Sequence, residues 1–427
     1  MPSTFLFITA TLLLSLNLVR PFGLAISDWL YFGALGFGLL ETFLLQRRHA
    51  PCWWQNQFFW AVALILFGAL ISTINSQSWG VALVEIFQQI FVMTLFVSLA
   101  WIMVRRGKTT PILLAFILSG VLAAGIAVID YLTSSRLGPF LSGTPNLQLW
   151  GRFAGPLGHP NKFGYFIVLT TLLSIGQLLN INSTRSTLLL RLLWNAVIAV
   201  QAFGVYLSGS MTAYLGLLTG VVIFIFSSKT NFSRTTKTFG MVASAAVLIV
   251  AFWFIADPTQ MNGRQSLREN SIYQAFNRVQ TSTAESRLAT YAQAWDQVVR
   301  NPWFGVGYDQ ISTSGVSASS RFLDFSVHNP LLQIWYTGGL FAFLGWLALY
   351  ALIGWMAFDI LRNRTDQTSF PQALTLAATT LALLLMDQFQ DSIYQREKWL
   401  VVGLLAGTAW EQLRLRRASY REGNSPK

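Results

Sequence analysis

The sequence predicts an all-α polytopic membrane protein with about 12 transmembrane helices and a long extracytoplasmic loop, containing an amphipathic helix, between helices 9 and 10. Three observations predict it. Of the 427 residues, 53% are of the types A, V, I, L, M, F, W, Y and C and 11% are charged, against roughly 25% charged in an ordinary soluble domain. Mean hydropathy is +0.50. Apolar runs of about 20 residues, the length a helix needs to cross a bilayer, recur along the chain.

In order, the candidate spans lie near residues 4–19, 22–45, 57–75, 80–104, 111–132, 163–180, 187–207, 212–228, 238–256, 331–358, 370–391 and 398–412. The first lacks a basic leader and a small-residue cleavage site, so it is read as a span and not as a signal peptide. The chain then divides into residues 1–256 with helices 1 to 9, an extracytoplasmic (periplasmic) loop 257–329, residues 330–412 with helices 10 to 12, and a basic cytoplasmic tail 413–427. The single cysteine, Cys52, cannot close an internal disulfide and reads as an inert thiol beside Arg47 and Arg48.

A net charge of +12 would suit nucleic acid in a soluble protein, but here the cations sort by side. Alternate connections carry Arg47 and Arg48; Arg105, Arg106 and Lys108; Arg185 and Arg191; Lys229, Arg234 and Lys237; and Arg362 and Arg364. The tail adds Arg414, Arg416, Arg417, Arg421 and Lys427. Cytoplasmic loops hold the excess of Lys and Arg, so both termini are expected in the cytoplasm of a multi-pass inner-membrane protein. The basic tail then contacts anionic membrane lipids, and no nucleic-acid partner is expected. Ionisable residues inside the spans fall near their ends. A transporter usually needs one at the midplane, which disfavours a lipid-linked sugar flippase or transporter, the alternative of another class.

Polar density collects on the opposite face, in three places. In GRFAGPLGHPNKFGYF (151–166), glycines and prolines break regular structure just ahead of a span, and such a backbone can turn its N–H groups towards an anion. Arg152, His159, Asn161 and Lys162 add cations and donors fit for a phosphate; Arg152 and Lys162 equally suit headgroup anchoring. In TSTAESRLATYAQAWDQVVRNPWFGVG (281–307), Leu288, Tyr291, Ala292, Trp295 and Val299 recur at helical spacing after a capping-box pair, Ser282 and Glu285. Asn301-Pro302 ends this amphipathic helix, and Gly305 and Gly307 form the turn. Arg287 falls at the edge of its apolar face, one turn before Tyr291, where it would meet a lipid-borne phosphate or else snorkel. Beyond it His328 and Asn329 stand at the mouth of the tenth span, with His328 suited to proton transfer or to a capping role. The third cluster holds Asp387, Asp391, Gln395 and Arg396, which could bind sugar hydroxyls or simply solvate the interface.

There is no phosphate loop, dinucleotide fingerprint, zinc signature or metal-nucleotide acid pair, so neither a cofactor nor a metal is expected. Twelve spans, the long loop before the tenth, Gly155, Gly158, Pro160 and Asn161 ahead of the sixth, the run Glu285-Ser286-Arg287 with Tyr291, Ala294 and Trp295, then Asn301, Pro302, Phe304, Gly305 and Gly307, and finally His328, Asn329, Leu332 and Gln333, together resemble the O-antigen ligase and O-antigen polymerase superfamily. The resemblance implies a metal-independent glycosyltransferase that takes a glycan from an undecaprenyl-pyrophosphate carrier and attaches it to an acceptor hydroxyl at the outer leaflet. In ligases, the type ahead here, the acceptor is the lipid A core; in polymerases, of O-antigen or exopolysaccharide, it is another glycan. Carried onto this chain, the catalytic residues are Arg287, binding pyrophosphate, and His328, assisting the acceptor hydroxyl or the leaving group. Arg152, His159, Asn161, Lys162, Tyr291 and Asn329 would bind the substrate. Many relatives carry a further arginine in an S-R-G element where this chain reads Ser208, Gly209, Ser210, Met211; Arg152 is the candidate to replace it.

Overall fold

The computed structural model describes residues 2–16, 25–44, 53–133, 148–149, 152–182, 188–227, 283–310, 327–363, 370–390 and 392–423. Among them lie twelve α-helices: α1 (Pro2–Leu12), α2 (Ile26–Leu44), α3 (Trp53–Ser72), α4 (Trp79–Arg105), α5 (Thr109–Leu132), α6 (Pro160–Asn182), α7 (Leu188–Ser208), α8 (Met211–Ser227), α9 (Thr283–Arg300), α10 (Pro330–Arg362), α11 (Phe370–Asp387) and α12 (Arg396–Gly423). The fold is all-α. Among the described residues the one β pairing is a two-residue antiparallel ladder, β1 (Gln148–Leu149) with β2 (Arg152–Phe153). Six helices, α3, α4, α5, α6, α7 and α10, are long and apolar enough to cross a membrane.

Eleven of the twelve expected spans coincide with helices; the ninth, 238–256, lies outside the described residues, as does the loop from 257 to 282. The first is shorter than its apolar run, since α1 ends at Leu12. The last is longer: α12 continues to Gly423, so most of the tail expected from residue 413 extends that helix. The loop helix is present as α9, but its buried face runs through Thr290, Ala294 and Val298, while Leu288, Ala292, Trp295 and Val299 of the expected apolar stripe are exposed.

Apolar residues from α1 to α8 and α10 to α12 form one continuous core, with Phe7, Phe96, Phe116, Phe166, Trp346 and Trp399 wholly buried. Charge is confined to its two ends. At one end Arg106 pairs with Glu41 at 2.6 Å and Arg416 with Asp359 at 2.6 Å; Arg105 lies between the rings of Trp101 and Trp410, at 4.7 and 4.4 Å. At the other end lie the α3–α4, α9–α10 and α11–α12 turns and the N-terminus of α6, which hold the polar segments singled out above.

The tenth span is not one continuous helix. Gly339 interrupts α10 with φ 72° and ψ −172°, which frees carbonyls and amides that lipid cannot satisfy. The Asn301–Gly307 turn fills the gap. Val306 N donates to Tyr336 O at 2.9 Å, Gly307 N to Thr337 O at 3.3 Å, and Leu340 N to Pro302 O at 2.9 Å. Ser72 Oγ donates to Thr337 O as well, and Asn75 Nδ2 to Gly305 O at 2.8 Å, which brings the end of α3 into the same junction. Two glycines make the fit possible. A Cβ on Gly305 (φ 66°) would lie 2.4 Å from Thr337 O, and one on Gly339 would lie 2.2 Å from Trp303 O.

Gly305→Val is therefore expected to cost at least about 2 kcal/mol, combining left-handed strain with the clash. Gly125→Ala, with nothing within 4 Å of the added carbon, should change stability by no more than about 1 kcal/mol. Thermal unfolding of the purified protein in detergent checks both.

Candidate functional site

Helix α9 is held against the outer turn of α10 by a small separate core of Ala294, Val298, Val306, Val327 and Tyr336, flanked by Tyr291, Leu332 and Trp335. Trp335 stacks on Phe343 at 4.3 Å between centroids, meets Trp295 edge-on at 5.6 Å, and donates its Nε1–H to Pro302 O at 3.2 Å. Thr290, Ala294 and Val298 are buried, so the face of α9 turned to α10 runs through positions 290, 291, 294 and 298. In helical register, position 287 lies one turn before Tyr291 and two before Ala294, on that same face. Arg287, at the edge of the apolar stripe, thus has its backbone position on the Tyr291 side of the helix, and its side chain is outside what the structure describes.

Tyr291 supplies the link to His328: its hydroxyl donates to the His328 carbonyl at 3.3 Å. Asn329 then caps α10, its Oδ1 accepting from Leu332 N at 3.0 Å while its Nδ2 donates to Gln388 O, in the α11–α12 turn, at 3.3 Å. Tyr291 and Asn329, both expected to bind substrate, are thus engaged in holding His328 between α9 and the α11–α12 turn. The imidazole of His328 is half-buried.

The α6 segment forms a second cationic lip. After a glycine–proline turn, His159 Nδ1 accepts from Asn161 N at 3.2 Å and starts α6. Arg152, on β2, donates through a terminal nitrogen to Asn161 Oδ1 at 2.6 Å and through Nε to Ser208 O at 2.8 Å. Its side chain therefore lies over the α7–α8 turn, against Gly209, whose added Cβ would be 3.3 Å from Arg152 Nε. That turn reads Ser208, Gly209, Ser210, Met211 and has no arginine of its own. Arg152 reaches it from a different segment. Lys162 is half-buried on the first turn of α6.

The third cluster differs from expectation. Asp387 does not face an open surface: it is fully buried, and both its oxygens are taken. Oδ1 accepts from Tyr165 at 2.9 Å; Oδ2 accepts from Tyr350 at 2.9 Å and pairs with Lys398 at 2.5 Å. Lys398 also donates to Tyr350 at 3.1 Å and Ser392 at 3.4 Å, and sits about 5 Å from the rings of Trp346, Tyr350 and Trp399. A buried carboxylate must be paired and hydrogen-bonded, and this one joins α6, α10, α11 and α12. Arg396, 30% exposed, pairs with Asp28 at 2.8 Å and staples α12 to α2. Gln395 is buried, and Asp391 lies outside the described residues. As placed, Asp387, Gln395 and Arg396 have structural surroundings in place of an open sugar-binding face.

Lys398, Tyr165 and Tyr350 escaped the sequence reading. Lys398, the first residue of the expected span 398–412, carried a signal, because an ionisable residue at a span needs a partner; two tyrosines among many aromatics did not. Glu85, buried on α4, was missed likewise. It accepts from Tyr394 at 2.7 Å, and Tyr308 donates to Gln89 one turn further along α4. Burial first, and then the Glu85 carboxylate, pushes both phenols above their ordinary range. They remain protonated donors at neutral pH.

One continuous chain of contacts therefore runs from the α6 lip through Tyr165, Asp387 and Gln388 to Asn329, His328 and Tyr291. Residues 196–347 match the O-antigen ligase family model, Wzy_C. That region is similar to the O-antigen ligase family. The match takes in the α7–α8 turn, α9, the Asn301–Gly307 turn, His328 and the break in α10, while Arg152 and the α11–α12 turn lie outside it. It supports an enzyme of the O-antigen ligase or polymerase kind, working on a lipid-linked glycan in a membrane. No curated protein matches the chain.

Lys398→Met should be the costlier route to breaking the buried pair, destabilising by about 3–5 kcal/mol because Asp387 is left charged and unpaired. The double variant Asp387→Asn/Lys398→Met should lose less than the sum of the two single changes. Thermal unfolding of the four proteins reads the difference; simple additivity would contradict the pairing.

Proposed function

We propose that the chain is a membrane glycosyltransferase of the O-antigen ligase type, which transfers a glycan from undecaprenyl pyrophosphate to a hydroxyl of the lipid A core at the outer leaflet of the inner membrane. The observation that carries this reading is the linkage of α9 to His328 through Tyr291, within the region that matches the family, so that the register of Arg287 and the imidazole belong to one end of the bundle. The orientation follows from charge. The end bearing Arg105, Arg106, Lys108, Arg362, Arg414 and Arg416 is the cytoplasmic one, and the site faces the periplasm.

In the proposed reaction the acceptor hydroxyl oxygen attacks the anomeric carbon of the donor glycan. The bond from that carbon to the pyrophosphate oxygen breaks, and its electron pair leaves on the pyrophosphate. His328 takes the hydroxyl proton. Arg287, with Arg152 at the α7–α8 turn and Lys162 beside it, neutralises the charge developing on the leaving group. Pyrophosphate leaves readily once neutralised, so arginines serve here in place of a metal, and no cofactor enters the scheme. Tyr291 and Asn329 act as positioning residues.

A polymerase would use the same groups and differ in taking another lipid-linked glycan as acceptor. Deletion followed by glycan analysis separates the two. Accumulation of full-length carrier-linked polymer is the ligase result, and loss of chain length is the polymerase result.

Arg287→Ala and His328→Ala are each expected to lower transfer by at least about 100-fold with membrane insertion unchanged, measured on purified protein with defined carrier and acceptor. Full transfer by both variants would sink the assignment.

A further inference from the structure

Helix α9 has three faces, and only two are accounted for. The face through positions 290, 291, 294 and 298 packs on α10. An exposed face follows, with Ala289, Asp296 and Arg300, the last two forming an ion pair at 2.9 Å. Between them runs an apolar stripe of Leu288, Ala292, Trp295 and Val299, spaced 4, 3 and 4 residues apart. Among the described residues it is largely uncovered, with only Trp295 touching Trp335: Leu288 is 66% exposed, Trp295 51% and Val299 63%.

The stripe does not stop at the end of the helix. Trp303 and Phe304, in the turn that fills the break in α10, are more than half or half exposed, and so are Ile74 and Trp79 on either side of the α3–α4 turn. The hydrogen bond from Asn75 to Gly305 O makes these neighbours. Towards the middle of the bundle, the exposed surface carries on through Phe67 and Leu70 of α3 and Leu344 and Leu347 of α10, on helices long and apolar enough to span a membrane. An exposed patch of this kind marks an interaction surface. Its tryptophans suit the level at which lipid headgroups meet acyl chains, and its continuity with the sides of α3 and α10 names the occupant.

We propose that α9 is an interfacial helix whose Leu288–Ala292–Trp295–Val299 stripe docks into the acyl chains of the bilayer, with the Asp296–Arg300 face in water. An amphipathic helix so placed buries its apolar side at the headgroup boundary. It lies parallel to the membrane while gripping α10 by its third face. The position of Arg287 is thereby held at the depth of a lipid-borne pyrophosphate, so the donor is met in the plane of the membrane. This last consequence rests on the transferase reading; the placement of the helix does not.

Site-directed spin labelling of the full-length protein tests it. In a Cys52→Ser background, single cysteines at positions 288, 292, 295 and 299, and at 289, 296 and 300, carry a nitroxide. The protein is placed in vesicles of phosphatidylethanolamine and phosphatidylglycerol, and collision with oxygen and with a water-soluble nickel chelate is measured. The first four positions should be open to oxygen and closed to nickel, and the other three the reverse. Nickel access along the stripe would overturn the proposal. So would a stripe shielded from both reagents, which would mean that a protein surface covers it. Neither result alters the outcome expected for Arg287→Ala, and seven positions keep the pattern readable if one variant fails to fold.

Discussion

Breaking a helix inside a bilayer exposes backbone groups that hydrocarbon cannot bind, so the break at Gly339 exists only because something polar fills it. What fills it is the Asn301–Gly307 turn, whose amides and carbonyls pair with Tyr336, Thr337 and Leu340. The exchange works in both directions. The turn satisfies the broken helix, and the broken helix fixes the turn, which in turn fixes the C-terminal end of α9. Helix α9 then carries Tyr291 to His328, and the register of Arg287 follows one helical turn away. Without the break, α9 would be tied to α10 only by the few apolar residues between them.

A second set of buried polar contacts serves the same end of the bundle from the other side. The Asp387–Lys398 pair joins four helices and leaves Gln388 O where Asn329 reaches it. Burying an ion pair rarely adds net stability over an apolar replacement. Its value lies in geometry, because Tyr165, Tyr350 and Ser392 must all take particular places to satisfy it. Among the described residues, the buried charged groups Asp28, Glu85, Asp130, Asp387, Glu397 and Lys398 all lie within about two turns of a helix end, and Asp309 lies in the segment that follows α9. That suits chemistry at the membrane surface better than passage through it.

Much of this was legible in the sequence, for specific reasons. Spans announce themselves by length and apolarity, and α9 by a stripe at helical spacing bounded by Asn301-Pro302. The glycines at 305 and 307 marked a turn. What the turn docks into was hidden, because a Gly338-Gly339 pair inside an apolar run reads equally well as a close-packed helix. The α6 segment announced its cations but not their target; that Arg152 would lie over the α7–α8 turn depends on contacts between distant segments. The surroundings of Asp387 were hidden for a related reason. Its position at the end of a span suggested solvent, whereas Lys398, eleven residues on, and two tyrosines from other helices enclose it. Periodicity reports which face of an element is apolar, but not which distant side chain will complete a polar group.

The central claim is that α9 and the start of α10 present Arg287 and His328 to one site. Chemical cross-linking tests this most directly, using the Arg287→Cys/His328→Cys protein in a Cys52→Ser background, reconstituted in lipid and treated with a short bis-maleimide. The account predicts a peptide joined between positions 287 and 328, formed within single chains and detected by mass spectrometry. Alkylation of both cysteines without any such joined peptide would contradict it.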